Sequence, residues 1–190
     1  MADFPLRQPN LRGPAWRAET ARQALTWLQG APAELLQAEQ AFQQSLAVAP
    51  VLAALPRGAV HADLFRDNAL FDGPPGAERL SGVFDFYFAG DDLFVYDLAV
   101  VLNDWCIDLD SGALDEPRAS ALLQAYQSVR PLTGGEQRLL PAMRRAAALR
   151  FWLSRLDDWH RPRDAQLLTP KDPAHFERVL RHAVDRAWHA

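Results

Sequence analysis

This chain of 190 residues is short of several things, and each shortage excludes a class of protein. It has a single cysteine, Cys106, so it forms no internal disulfide and suits a reducing compartment. A lone Cys106 reads as a small buried apolar residue rather than a nucleophile. Lys171 is the one lysine, and arginine carries nearly all the positive charge. The net charge is −4 and the pI about 5.7, with no basic block, which argues against a nucleic-acid partner. The longest apolar-rich stretch, LFVYDLAVVLNDW, is broken by Asp97 and is too short to span a bilayer. MADFPLRQPN shows no apolar core of a signal peptide. There is no internal repeat and no low-complexity tract. The expectation is a soluble cytoplasmic protein without a membrane partner.

What is present is apolar bulk, 49% of residues, enough for one domain or one large lobe of something bigger. Pro5, Pro9, Gly13 and Pro14 punctuate an irregular lead-in over residues 1–14. Ala18, Ala21, Leu25 and Leu28 then recur three or four apart and predict a helix to about residue 29, closed by Gly30. A second helix is expected between Pro32 and Pro50. The middle changes character: AVHADL, NALFD and LSGVFDFYFA read as strands, with FDGPPGAERL as a hairpin turn. Helical spacing returns over 92–108, 116–129 and about 134–159, and again from Pro173 to Trp188. Thr133 and Glu136 form a capping box for the third of these. Pro141 is expected to kink or divide it. The whole predicts an α+β fold, mostly α.

One stretch carries chemistry. HADLFRDNALFDG, residues 61–73, contains His61, Asp63 and Asn68 at the H-x-D-x-x-x-x-N spacing. Phosphoryl transfer from ATP needs a carboxylate to take the proton of the attacking hydroxyl and oxygen ligands to hold Mg²⁺ on the phosphates. The catalytic loop of protein kinases meets those needs at this spacing, with a second metal-binding Asp on a later strand. Asp85, in GVFDFYF, matches. With 5 His in the chain, the loop spacing arises by chance with an expectation of roughly 0.007. The plain alternative is that Asp63 and Asn68 only stabilise turns. It does not explain a carboxylate flanked by Val83, Phe84, Phe86 and Tyr87, which is costly to bury without a metal or a donor.

HADLFRDN, GVFDFYFAGDD, YDLAVVLNDWC and ALRFWLSRL resemble the homoserine kinases related to aminoglycoside phosphotransferases, a protein-kinase-like group that binds ATP between two lobes. The likeness runs over essentially the whole chain. It implies that Asp63 is the catalytic base, that His61 braces the loop by hydrogen bonding, and that Asn68 and Asp85 hold Mg²⁺. Asp97 matches an Asp that props the loop from the next helix. Arg66 meets phosphate or is a surface arginine. Phe65 stands where protein kinases carry lysine, so that position supplies no charge. For homoserine as acceptor, the resemblance suggests Asp104 for the ammonium with Asn103 beside it, and Trp105 as a pocket wall. Arg150 and Arg155 would face the carboxylate, although a solvated helix face is the favoured reading for both. Trp152 and Trp159 fall in the apolar stripe and are expected in the core.

Residues 1–60 hold no lysine, no glycine-rich loop and no run of strands. The resemblance therefore implies a C-terminal lobe over residues 15–190, with the N-terminal nucleotide lobe absent. A cleft open on one side predicts little or no ATP turnover by these residues alone, and an exposed apolar surface where the other lobe would dock. The alternatives are a kinase of choline, ethanolamine or an aminoglycoside, and a non-catalytic remnant of the fold. A metal-dependent hydrolase built on His61, Asp63, Asp67 and Asp85 is weaker, because it lacks paired histidines at metal-ligand spacing.

Overall fold

A computed structural model describes residues 8–162 and 170–189; residues 1–7 of the lead-in lie outside the described residues. Helix α1 (Pro14–Ala24) begins on a proline, whose missing N–H costs nothing in a first turn. It ends earlier than its apolar spacing suggests. The Thr26 and Trp27 N–H groups bond three residues back, to Gln23 and Ala24, and the Thr26 hydroxyl also donates to the Gln23 carbonyl. That tightens the last turn and stops propagation. Helix α2 (Ala31–Ala47) follows Gly30, which sits at φ 59°. A single turn, α3 (Pro50–Ala53), leads to strand β1 (Arg57–Val60).

The β region is two separate two-stranded sheets. Strands β2 (Ala69–Asp72) and β3 (Arg79–Val83) form the expected hairpin, with an irregularity at Leu70/Phe71. The run LSGVFDFYFA is not one strand. Pairing stops at Val83, Asp85 turns the chain at φ 60°, and residues Phe86–Phe88 make one 3₁₀ turn. Strand β4 (Gly90–Leu93) then pairs antiparallel with β1, displacing the start of the next helix. Gly90 permits this, because a Cβ there would stand 3.0 Å from the Gln8 carbonyl oxygen and 3.1 Å from the Asn10 backbone.

The rest is helical: α4 (Phe94–Trp105), α5 (Glu116–Val129), α6 (Gly134–His160) and α7 (Ala174–Asp185). The capping box on α6 is formed. The Thr133 hydroxyl accepts from the Glu136 N–H at 3.2 Å, and the Glu136 carboxylate accepts from the Thr133 N–H at 2.9 Å. Pro141 does not divide α6, which runs unbroken for 27 residues. Its ring is buried between Leu140 and Met143, so packing offsets the lost backbone bond. Helix α6 is the central post. Trp152, Leu149 and Leu153 are fully buried on it, and Ala146–Ala148 let α4 come close. Full burial of one such apolar side chain stabilises by roughly 1.5–3 kcal/mol. Trp159 is a correction: it is 53% exposed, near the end of α6 and beyond the reach of the core. Helix α7 lays Phe176, Val179, Leu180 and Ala183 against this post, at helical spacing. Cys106 is buried at the end of α4, and burial pushes its thiol up from its ordinary value.

Leu70, Phe71, Leu80, Phe84, Phe86 and Tyr87 are exposed apolar side chains on and beside the β2–β3 hairpin. Among the described residues no helix is long and apolar enough to cross a membrane.

Candidate active site

The loop after β1 is held by groups on three other elements. Ala62, between His61 and Asp63, takes the left-handed conformation at φ 61°, which costs a non-glycine residue about 1–2 kcal/mol. Asp97 on α4 offsets that strain. Its carboxylate accepts the N–H of His61 at 3.2 Å and of Ala62 at 2.7 Å. Burial raises the Asp97 carboxyl above its ordinary value, against the lowering effect of those two bonds.

His61 ties the loop to the turn that carries Asp85. Its Nδ1 accepts the Asp63 N–H at 3.3 Å, so Nε2 carries the proton and donates to the Phe84 carbonyl at 2.9 Å. The Phe86 ring lies 4.8 Å away. The Asn68 Nδ2 donates to the Asp63 carbonyl at 2.8 Å, which leaves Oδ1 as the acceptor end of the amide. The Phe84 N–H returns to the Asn68 carbonyl at 3.2 Å. Trp105 donates its indole N–H to the Leu64 carbonyl at 3.0 Å.

Asp63, Asn68 and Asp85 line one cavity of about 370 Å³, together with Arg12, Phe88 and Arg150. A larger cavity of about 450 Å³, between α1, α2 and β4, contains none of the three. Burial raises the Asp63 carboxyl from its ordinary value; the Arg150 guanidinium beside it pulls the other way, and the Asp85 charge adds to the rise. A carboxyl in this setting is a better proton acceptor than an exposed aspartate once it is ionised.

Asn68 and Asp85 offer an amide oxygen and a carboxylate. These are hard oxygen donors suited to Mg²⁺, which takes one or two protein ligands and fills its octahedron with phosphate and water oxygens. Among the described residues there is no group of three or more His, Cys, Asp or Glu side chains placed to hold a metal. With only these two protein ligands, a cation here would take its remaining ligands from phosphate and water.

The acceptor candidates fare differently. Asn103 is fully buried and bonded to Arg144 on α6, donating to its carbonyl at 2.7 Å and accepting from its Nε at 3.1 Å. It lines no cavity with Asp63. Asp104 is taken up by Arg66, whose N–H, Nε and Nη2 all donate to it at 2.8, 3.0 and 3.4 Å. Neither lines that cavity, and Arg66 braces the loop through Asp104 while its side chain stays partly exposed. Trp105 stands under the loop, 6.0 Å from the Phe71 ring, not on the cavity wall. Arg150 overturns the solvated reading. It is 2% exposed, with its Nη1 at 3.4 Å from Asp63 Oδ1 and its guanidinium 4.6 and 3.8 Å from the ring centres of Phe88 and Phe151. Arg155 is only partly buried. It donates to the Asp172 carbonyl at 3.2 Å and lies 4.4 Å from the Phe176 ring centre. The sequence reading missed Ser154 and Asp158, which also line the cavity. Their signal was available, since 150, 154 and 158 place polar groups four apart on a helix otherwise rich in apolar residues.

Residues 1–132 match the profile of the phosphotransferase enzyme family. The chain belongs to that family. It is 56% identical over 182 residues to a homoserine kinase of Polaromonas naphthalenivorans, covering 96% of this chain and 56% of that protein. It is 52% identical over 185 residues to a homoserine kinase of a Janthinobacterium species, covering 97% and 56%. The chain thus spans a little over half the length of these curated relatives. A solved ethanolamine kinase of Plasmodium vivax superposes with a TM-score of 0.61 at 13% identity, over 96% of this chain and 55% of that one, which shows a shared fold. The two-element architecture of this family member, a small β region set on a helical body, agrees with the kinase-like lobe expected from its motifs.

Proposed function

We propose that this phosphotransferase chain supplies the catalytic loop and metal-binding turn of an ATP-dependent, cytoplasmic kinase that phosphorylates the hydroxyl of homoserine to O-phosphohomoserine, a step of threonine biosynthesis. The observation that carries this reading is that Asp63, Asn68 and Asp85 line a single cavity. Identity of 52–56% to proteins named homoserine kinase favours that acceptor over choline, ethanolamine or an aminoglycoside.

In this reading the acceptor hydroxyl lies at Asp63, which takes its proton as the oxygen attacks the γ-phosphorus and ADP leaves. Asn68 and Asp85 hold Mg²⁺, which when bound offsets the charge of the phosphate oxygens. His61 fixes the loop to the Asp85 turn, Asp97 holds the loop N–H groups, and Arg66 with Asp104 braces the far end. Arg150 faces the carboxylate end of the acceptor. Residues 15–190 act as the C-terminal lobe, and a lobe outside these residues clasps the nucleotide from the other side. That this chain spans only 56% of those relatives agrees with that division. The exposed apolar side chains on and beside the β2–β3 hairpin suit such a neighbour.

The test is homoserine-dependent ADP release by a chimera in which these residues replace the matching segment of the Polaromonas relative. Turnover with homoserine well above turnover with choline or ethanolamine supports the reading. Equal rates on all three would remove homoserine as the acceptor, and no turnover would favour a non-catalytic remnant.

A further inference from the structure

Four polar side chains on α6 line the cavity beside the loop, Arg155 among them. Arg150, Ser154 and Asp158 recur every four residues, and all three line the cavity that contains Asp63. Arg150 is the anomaly. It is buried, one of its nitrogens reaches Asp63 at 3.4 Å, and its Nε and Nη2 reach no acceptor. One turn on, the Ser154 hydroxyl has no partner either. Buried donors without acceptors are costly, and a guanidinium more so than a neutral group. The Phe88 and Phe151 rings on the guanidinium hold it in place. A single long contact to Asp63 leaves this charge under-compensated, and a second anion with two oxygens would match the free edge.

The geometry points to an amino-acid subsite on α6, in which Arg150 and Ser154 bind the carboxylate of the acceptor and Asp158 faces its ammonium group. This deepens the kinase reading and rests on it for the hydroxyl at Asp63. Residues four apart on a helix are about 6 Å apart along its axis, comparable to the span of a short hydroxy amino acid. The ligand class is therefore an alcohol carrying both a carboxylate and an ammonium. Arg155 is not part of the subsite, because it is tied to the Asp172 carbonyl and stacked on Phe176. Asp104 is not either, being bonded by Arg66.

The full 190-residue chain is titrated calorimetrically, without nucleotide, with L-homoserine, with 3-aminopropan-1-ol, which lacks the carboxylate, and with 4-hydroxybutanoate, which lacks the ammonium. L-Homoserine is expected to bind at least about tenfold more tightly than either analogue, the loss of one charged hydrogen-bonded contact. Ser154→Ala removes an unpartnered hydroxyl and leaves the fold intact. It weakens L-homoserine and 4-hydroxybutanoate by roughly fivefold, the scale of one hydrogen bond, and leaves 3-aminopropan-1-ol unchanged. Asp158→Asn weakens L-homoserine and 3-aminopropan-1-ol and spares 4-hydroxybutanoate. Equal affinity for L-homoserine and 3-aminopropan-1-ol overturns the subsite, as does an absence of L-homoserine binding or variant effects that ignore which charge the ligand carries. Nucleotide binding is measured separately. If the amino acid binds in this pattern and Mg²⁺–nucleotide does not, the subsite stands and the phosphoryl-transfer reading falls.

Discussion

Asp97 accepts the backbone N–H of Ala62 at 2.7 Å, so a carboxylate on α4 holds the one left-handed residue of the Asp63 loop in place. The same carboxylate takes the His61 N–H at 3.2 Å. Asp97→Ala would leave two shielded donors without an acceptor and release the strain at Ala62. It is expected to destabilise the chain by about 2–4 kcal/mol. Urea unfolding measures this. A loss below half a kcal/mol would mean the loop needs no prop.

Asp63 and Asp85 are predicted to separate by function. Asp63→Asn keeps the shape of the loop and removes the proton acceptor. In the homoserine kinase chimera it should lower turnover by about 10²–10⁴-fold, the usual contribution of a positioned base, with little change in nucleotide affinity. Asp85→Ala should abolish Mg²⁺-dependent nucleotide binding itself. Steady-state kinetics and nucleotide titration on both variants check this. Identical defects in the two would merge the roles assigned here.

Gly112 is fixed by contact with α7. At φ 75° an added Cβ would stand 2.7 Å from the Val179 nitrogen and 2.9 Å from the Arg178 carbonyl carbon, both backbone atoms that cannot swing away. Gly112→Ala should cost about 2 kcal/mol or more, combining the left-handed penalty with displacement of α7. Thermal unfolding reads it, and an unchanged midpoint would show that α7 docks more loosely than drawn.

His175 gives the chain an acid-sensitive contribution. Burial holds its imidazole below the ordinary value of 6.5, with Arg155 and Arg178 pushing the same way. The unfolded chain then binds the proton more readily than the folded one. This contribution is intact above the unfolded value, falls as pH drops through it, and stops falling below the folded value. The raised Asp63 and Asp97 carboxyls act in the opposite sense, so the comparison must be with a variant. His175→Gln should lose less stability than the wild type between pH 7 and pH 5, measured by denaturant unfolding. Parallel curves would contradict the assignment.

The H-x-D-x-x-x-x-N spacing was legible because it is local: His61, Asp63 and Asn68 are set by one short loop, and helices α2, α5 and α6 announced themselves by period and by the Thr133–Glu136 box. The turn at Asp85 was not. Phe and Tyr on both sides read as strand, and it is a bond across the fold, from His61 to the Phe84 carbonyl, that pins the chain where Asp85 turns left-handed. Strand β4 was hidden because Gly and Asp are poor strand formers, and its pairing with β1 comes from far along the chain, as Val60 with Gly90 and Arg57 with Leu93. The burial of Arg150 was hidden for the same reason. Arginine is rarely buried unless paired, and the Phe88 ring and Asp63 carboxylate that accept it come from distant parts of the chain. Asp104 was placed at the acceptor because it lies about two helical turns beyond Asp97, and Asn103 because it stands beside Asp104. Consecutive helical residues point in different directions, and these two found partners on α6 and in the loop instead.

The most direct measurement is paramagnetic broadening by Mn²⁺–nucleotide in the ¹⁵N-labelled chain. The account predicts that the amide signals around Asn68 and around Asp85 broaden together, that those of α5 do not, and that Asp85→Ala removes the effect. Broadening centred on other carboxylates, or persisting unchanged in Asp85→Ala, would contradict a shared metal position between the loop and the turn.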